Sequence, residues 1–294
     1  MPNINELLAN PQLSDLVLNG HQSSFVNVGG AWQRVANPFQ SEEELRTFAV
    51  QLANSVRKRL DYASPFADLA IGPLRYHLAL GERTHVSVRK HQSTRKELSA
   101  LLDNPVRWVS VLQSLVSQKA NLLISGGTGT GKTTLLRALL ELELNERIVT
   151  VEDVSELELQ TPNVVNLQTR PANTEGAGQI DLQRLVVESL RMNPDRIVVG
   201  EVRGTELVPM LQALNSGHRG SATTIHANQA EAVPARLIGI GLMGGLSPTT
   251  TAHLAASAFD YIISLGPRFR GINIQGISRL ELTRESKLVT RSEF

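Results

Sequence analysis

Residues 121–134 read Asn-Leu-Leu-Ile-Ser-Gly-Gly-Thr-Gly-Thr-Gly-Lys-Thr-Thr. Gly126 to Thr133 fit glycine, four free positions, Gly-Lys and Ser/Thr, the P-loop pattern. An apolar run, Leu122 to Ile124, precedes it, and a helix-forming run, Leu135 to Leu142, follows. This strand–loop–helix order is the context the pattern requires. Glycines let the backbone curl until successive N–H groups face inward at phosphate oxygens. The following helix adds its positive end. The cradle expected to bind a nucleoside triphosphate, read as ATP, therefore comprises Gly126, Gly127, Thr128, Gly129, Thr130, Gly131, Lys132, Thr133 and Thr134. Lys132 is expected to reach the β- and γ-phosphates, and the Thr133 hydroxyl to bind Mg²⁺.

The surrounding pattern sets the fold class. From residue 97 onward, strands expected at 121–125, 147–151, 164–168, 195–200 and 221–225 alternate with helices at 104–118, 132–142, 181–192, 204–215 and 229–241. Alternation of this kind implies an α/β domain with a mostly parallel sheet and helices on both faces. Such a sheet binds ligands at the carboxyl ends of its strands. The tail from Asp260 to Leu282 has three apolar runs broken by Gly266-Pro267 and Gly271, expected as antiparallel edge strands. Before residue 90 the reading is α+β. Three short strands joined by hairpins run through Asp15–Leu18, Ser24–Val28 and Ala31–Val35. A helix opens at a capping box, Ser41 to Glu44, with apolar positions from Leu45 to Leu60. Three more strands follow, Phe66–Ile71, Leu74–Leu80 and His85–Val88. The resulting division is an N-terminal domain over 1–89, a polar, basic hinge over 90–96, and a P-loop domain over 97–294.

Composition narrows the function. With 41% hydrophobic and 19% charged residues and a net charge of +1, the chain has the profile of a globular protein without a field that favours nucleic acid. Two Trp and three Tyr leave little for base stacking. Cysteine is absent, which excludes disulfides, zinc knuckles and thiol catalysis. The first residues lack a signal-peptide pattern, and no apolar run approaches 18 residues. No direct membrane span is expected.

Two further constellations carry chemistry. Asp195 to Glu201 is an apolar strand ending in an acid. Many P-loop ATPases place Asp-Glu here, but Gly200 holds the Asp position. Asp195 cannot substitute, because six strand residues put it about 20 Å away. Mg²⁺ is therefore expected on Thr133, phosphate oxygens and water, with Glu201 free to orient or deprotonate the attacking water. Arg147 to Glu156 is a second strand running into carboxylates, Glu152, Asp153 and Glu156. Their repulsion towards a triphosphate calls for basic groups, available in Arg170, Arg191 and Arg203. His218 and His226 bracket the next strand, at a spacing unsuited to metal binding.

Four segments then stand in one order: SGGTGTGKTT (125–134), RIVTVEDVSEL (147–157), LRMNPDRIVVGEVRG (190–204) and NSGHRGSATTIHAN (215–228). Together they resemble the type II/type IV secretion-system ATPase family, with its tight-adherence (Tad/Flp) pilus and conjugal-transfer-like branch nearest. DLVLNG (15–20) and VSVRKH (86–91) extend the resemblance towards the N-terminus. It implies a RecA-like P-loop ATPase domain, preceded by the smaller α+β domain, in a homo-oligomeric, hexameric ring. It implies catalytic roles for Glu156, Glu201 and His226, joined by Lys132 and Arg203, and places Arg75 and Arg89 as arginines offered to the γ-phosphate. The Ala67–Arg75 stretch is shorter than usual for the family. The implied function is an ATP-hydrolysing, Mg-dependent motor for pilus assembly or type II/IV secretion. It would sit at the cytoplasmic face of the inner membrane on an integral platform protein, driven by closure of the N-terminal domain onto the RecA-like domain. A nucleic-acid motor and a non-hydrolysing nucleotide sensor are the alternatives, separated by DNA-stimulated turnover and by multiple-turnover phosphate release.

Overall fold

Alternating apolar side chains assemble the first of two units, residues 1–95 and 96–294. The structure, a computed structural model, describes residues 3–90, 96–143, 145–170, 172 and 177–294. Residues 91–95, most of the expected hinge, lie outside the described residues.

In the first unit, α1 (Ile4–Ala9) leads into β1 (Leu13–Asn19), β2 (Ser24–Val28), β3 (Ala31–Val35), α2 (Glu42–Ser55), β4 (Phe66–Ile71), β5 (Leu74–Ala79) and β6 (His85–Lys90). Among the described residues these strands form one six-stranded sheet, ordered β3-β2-β1-β6-β5-β4, with every pair antiparallel. Period-two alternation sends Leu16, Leu18, Val86, Val88, Tyr76 and Leu78 into the core, where Leu45, Ala49 and Ala53 of α2 join them. The opposite face therefore carries Asp15, Arg75 and Arg89. Helix α2 stops earlier than its apolar spacing suggests. Arg57 takes φ 57°, so Arg57-Lys58-Arg59 lies beyond the helix, and Leu60 is buried from the following segment. The cap also differs from a full box. Ser41 Oγ accepts from Glu44 N at 3.2 Å, but the Glu44 carboxylate accepts from Gln40 N at 2.7 Å instead of from Ser41.

The second unit contains α3 (Leu98–Leu101), α4 (Pro105–Ser117), β7 (Leu122–Gly126), α5 (Lys132–Leu140), β8 (Ile148–Glu152), β9 (Val164–Gln168), α6 (Leu182–Ser189), β10 (Arg196–Val199), α7 (Leu207–Asn215), β11 (Ala222–His226), α8 (Val233–Met243), α9 (Pro248–Ala258), β12 (Tyr261–Leu265), β13 (Ile274–Leu282) and β14 (Leu288–Ser292). Among the described residues the sheet has eight strands, ordered β14-β13-β12-β7-β11-β10-β8-β9. The strands from β12 to β9 are parallel. Parallel strands need helical crossovers that cover both faces, so these strands read as continuous apolar runs. Leu122 and Ile124 face Trp108, Leu112, Leu135 and Leu139 of α4 and α5. Leu123, Val199 and Ile225 face Leu207, Met210 and Leu237 of α7 and α8. The fold is α/β with a RecA-like sheet.

One feature of the tail departs from expectation. The run at 261–265 is no antiparallel edge strand: β12 pairs parallel with the P-loop strand β7, and only β13 and β14 are antiparallel. Helix α9 carries the chain back across the sheet before β12, which makes the parallel pairing possible. At the amino ends of the strands, buried Arg196 pairs with Glu146, which also holds Lys119 Nζ at 2.7 Å.

Candidate nucleotide site

Strand β7 ends at Gly126, and the chain must turn sharply to start α5 at Lys132. Gly129 and Gly131 make that turn at φ 77° and 96°, a region that glycine enters at little cost. Gly131 is also cramped, since a Cβ there would stand 3.0 Å from Ile272 Cγ1. The Thr130 hydroxyl closes the loop by donating to Gly127 O at 2.9 Å. Lys132 Nζ donates to Gly126 O and Gly127 O, both at 2.9 Å. Burial pushes the Lys132 ammonium below its ordinary value, against the opposing attraction of Glu201 and Glu156. Thr133 and Thr134 occupy the first turn of α5, with their backbone at the positive end of the helix.

Parallel register brings the carboxyl ends of β7, β11, β10 and β8 to one rim. The P-loop, His226, Glu201 and the turn bearing Glu156 therefore meet there. Thr133 Oγ1 donates to Glu156 Oε2 at 3.3 Å. His226 Nε2 stands 3.5 Å from Thr128 Oγ1 and 3.8 Å from Glu201 Oε1. The imidazole thus touches both the loop and the acid. Hydroxyl and carboxylate oxygens suit a hard cation such as Mg²⁺. Among the described residues, no three His, Cys, Asp or Glu side chains gather into a cage. An Mg²⁺ at Thr133 would have to complete its shell with phosphate oxygens and water.

The side chain of Glu152, part of the expected acidic run, has a structural task. It is buried, and its Oε1 accepts from the backbone N–H of Glu156 and Leu157 at 3.0 and 3.1 Å. That fixes the turn presenting Glu156. It also explains Gly200: a Cβ there would stand 3.1 Å from Glu152 Cγ, and the pinned carboxylate cannot withdraw. Asp153 pairs with Arg203 and accepts from Thr169 Oγ1 at 3.2 Å, so the Arg203 guanidinium is engaged beside the rim and not over the P-loop. Glu206 Oε1 accepts from Arg203 N and Gly204 N at 2.6 and 2.8 Å and fixes the segment after Glu201. Asn228 was not legible as a site residue, yet its Oδ1 would lie 3.2 Å from a Cβ on Gly127 and walls the loop.

Three basic candidates of the second unit are otherwise engaged, and two more belong to the first unit. His218 precedes β11, at the opposite rim, with Nδ1 3.1 Å from Ala213 O. Arg191 precedes β10 at that same far rim and pairs with Glu188 at 3.1 Å. Arg170 Nε donates to Gly178 O at 2.8 Å. Arg75 and Arg89 belong to the first unit, directly opposite one another on β5 and β6. Arg89 Nε donates to Asp15 Oδ1 at 2.9 Å, and Arg75 Nε is buried without a hydrogen-bond partner among the described residues.

Residues 74–265 match the protein family described as Type II/IV secretion system protein. The protein named "Putative conjugal transfer protein Rv3659c", from Mycobacterium tuberculosis, is 37% identical over 273 residues, covering 87% of this chain and 77% of its own length. The type IV secretion system protein VirB11 of Bartonella quintana is 41% identical over 124 residues, 42% of this chain and 35% of its own length. Among solved structures, the pilus retraction motor PilT with bound ADP superposes with a TM-score of 0.64 at 18% identity, covering all of this chain and 82% of that one. At that identity the likeness is one of fold.

Proposed function

Because the chain belongs to the type II/IV secretion system protein family, we propose that it is an ATP-hydrolysing motor that powers pilus assembly or type II/IV secretion. One observation carries this reading: the P-loop lysine, Glu156, His226 and Glu201 converge on a single sheet rim. In the proposed reaction the loop amides and Lys132 hold the β- and γ-phosphates, exchanging carbonyl partners for phosphate oxygens. Glu201 orients a water and takes its proton as the water oxygen bonds to the γ-phosphorus. The bond from that phosphorus to the β–γ bridging oxygen breaks, and ADP carries the electron pair away. His226, between Thr128 and Glu201, ties the loop to the acid. Arg203 acts through Asp153, steadying the segment after Glu201. Mg²⁺, held by Thr133 and through water by Glu156, would supply positive charge to the phosphates.

We further propose that the protein works as a homo-oligomeric ring, of six subunits, in which the first unit closes onto nucleotide and Arg75 or Arg89 meets the γ-phosphate. Loss of the γ-phosphate would release that contact, an order-and-hinge switch. No helix among the described residues is long and apolar enough to cross a membrane. Attachment to the cytoplasmic face of the inner membrane is accordingly assigned to an integral platform protein. Multiple-turnover phosphate release from Mg·ATP by the purified protein tests the reaction, with Lys132→Ala as the control. That variant is expected to lose both nucleotide binding and turnover; retained affinity would refute the P-loop reading.

A further inference from the structure

The turn between β12 and β13 stands beside the P-loop, and nothing in the reaction above uses it. Parallel pairing places Leu265, the last residue of β12, opposite Gly126. The turn therefore emerges at the nucleotide rim. Its base is fixed on both limbs. Gly266 N donates to Asn273 O at 2.9 Å, and Ile272 N donates to Leu101 O at 2.7 Å. Gly271 is held so close to the α3–α4 corner that a Cβ would stand 2.7 Å from Leu101 O. Between these anchors the turn projects Arg268-Phe269-Arg270. The Arg268 stem approaches the loop itself, with Cδ 3.8 Å from the Cβ position on Gly131. Phe269 is 82% exposed. Neither guanidinium has a hydrogen bond or ion pair with a described residue. A lone exposed ring is common on protein surfaces; what sets this one apart is its place, between two cations on a turn anchored at the nucleotide rim.

Sheet order says which end of a nucleotide this turn would meet. Glu201, His226 and Glu156 all lie on the β11–β10–β8 side of the P-loop strand, and β12 lies on the other side. A triphosphate whose γ end faces the acids points its base end towards β12. We propose that the Arg268–Arg270 turn is the base-recognising edge of the nucleotide site, with Phe269 stacking on the purine and Arg268 facing the phosphate nearest the ribose. The proposal rests on the nucleotide reading of the P-loop.

The test compares ADP with inorganic tripolyphosphate, which shares the phosphates but has no base, by equilibrium binding to the full chain. Phe269→Ala is expected to weaken ADP about 5- to 150-fold, the range for losing one base-stacking aromatic, and to leave tripolyphosphate within twofold. Phe269→Trp is expected to restore ADP affinity. Its added indole emission, measured against wild type, should be quenched by ADP and not by tripolyphosphate. Arg268→Ala is expected to weaken both ligands. If Phe269→Ala leaves ADP unchanged, or weakens both ligands equally, the base edge is elsewhere and only this inference falls. If wild type binds neither ligand, the nucleotide reading falls with it.

Discussion

Replacing Glu201 with glutamine isolates the proposed proton transfer from everything else at the rim. Glu201 stands one residue, Gly200, beyond the end of β10, and its side chain is 36% exposed. Glutamine has the same length, so packing and fold stability should change by no more than about 0.5 kcal/mol. A general base contributes roughly 10²–10⁴ in rate, which is about 2.7–5.5 kcal/mol of barrier at 1.36 kcal/mol per decade. Turnover of Mg·ATP at saturation should therefore fall by at least about a hundredfold. Binding should move the other way. Glu201 and Glu156 are the charges that attract the Lys132 ammonium, and both would repel a γ-phosphate. At an effective dielectric near 20, unit charges about 4 Å apart interact by about 4 kcal/mol. A group one-third exposed retains a fraction of that, so ATP should bind as tightly as to wild type or up to about tenfold more tightly. The assay pairs equilibrium ATP binding with multiple-turnover phosphate release. Turnover above a third of wild type would remove Glu201 from the chemistry. A tenfold loss of ATP affinity would mean that its role is structural.

Two further variants probe the scaffold. Gly131→Ala forces a side chain to φ 96° and against Ile272; left-handed strain of about 1–2 kcal/mol should lower the melting temperature and weaken ADP binding at least tenfold, and wild-type values for both would contradict the cramped turn. Glu146→Gln removes the charge that pairs with the buried Arg196 guanidinium, which among the described residues is otherwise held by Gly220 O and Val116 O at 3.1 and 3.3 Å; a loss of about 3 kcal/mol is expected at neutral pH, or roughly 6–12 °C in a domain of this size. Burial alone would raise the Glu146 carboxyl, but Arg196 and Lys119 outweigh it and hold the group below its ordinary value. Because the folded value lies below the unfolded one, about 4.3, the stabilisation is complete above the unfolded value and is lost as pH falls through the folded one. Melting curves of wild type and Glu146→Gln should then converge in acid, and a constant gap down to pH 2 would refute the assignment.

What the sequence disclosed, and what it withheld, follows from range. The P-loop, the strand ending at Glu201 and the alternation of strands with helices are local patterns, and the strands at 122–126, 148–152, 196–199 and 222–226 lie where those patterns put them. Partnership across the sheet is not local. Nothing in Tyr261–Leu265 distinguishes an antiparallel edge strand from one lying parallel beside the P-loop. Helix α9 begins at Ser247, whose hydroxyl accepts from Thr250 N at 3.0 Å, and at Pro248. Its Thr- and Ala-rich face gave no apolar period to read. The vacancy at Gly200 was visible as a missing aspartate, but its cause, the Glu152 side chain from the neighbouring strand, needed three dimensions. Spacing alone does not separate His218 from His226; only the family resemblance singles out His226. Strand direction separates them, because only the residue at the carboxyl end of β11 reaches the rim.

Strand order also bears on why a histidine stands where it does. β11 lies between the P-loop strand and the strand leading to Glu201. At about 4.8 Å per strand, the loop and the acid are separated by roughly 9.5 Å across the rim. Direct adjacency of β7 and β10 would halve that gap and leave the acid against the cradle, with no space for both a phosphoryl group and an attacking water. The intervening strand opens the space, and its last residue inevitably sits at the middle of it. A side chain there can link the loop to the acid only if it reaches both sides. His226 does so, at 3.5 Å to Thr128 and 3.8 Å to Glu201. A shorter residue at this position could touch one side but not the other, so loop and acid would lose their shared contact even with every phosphate ligand intact.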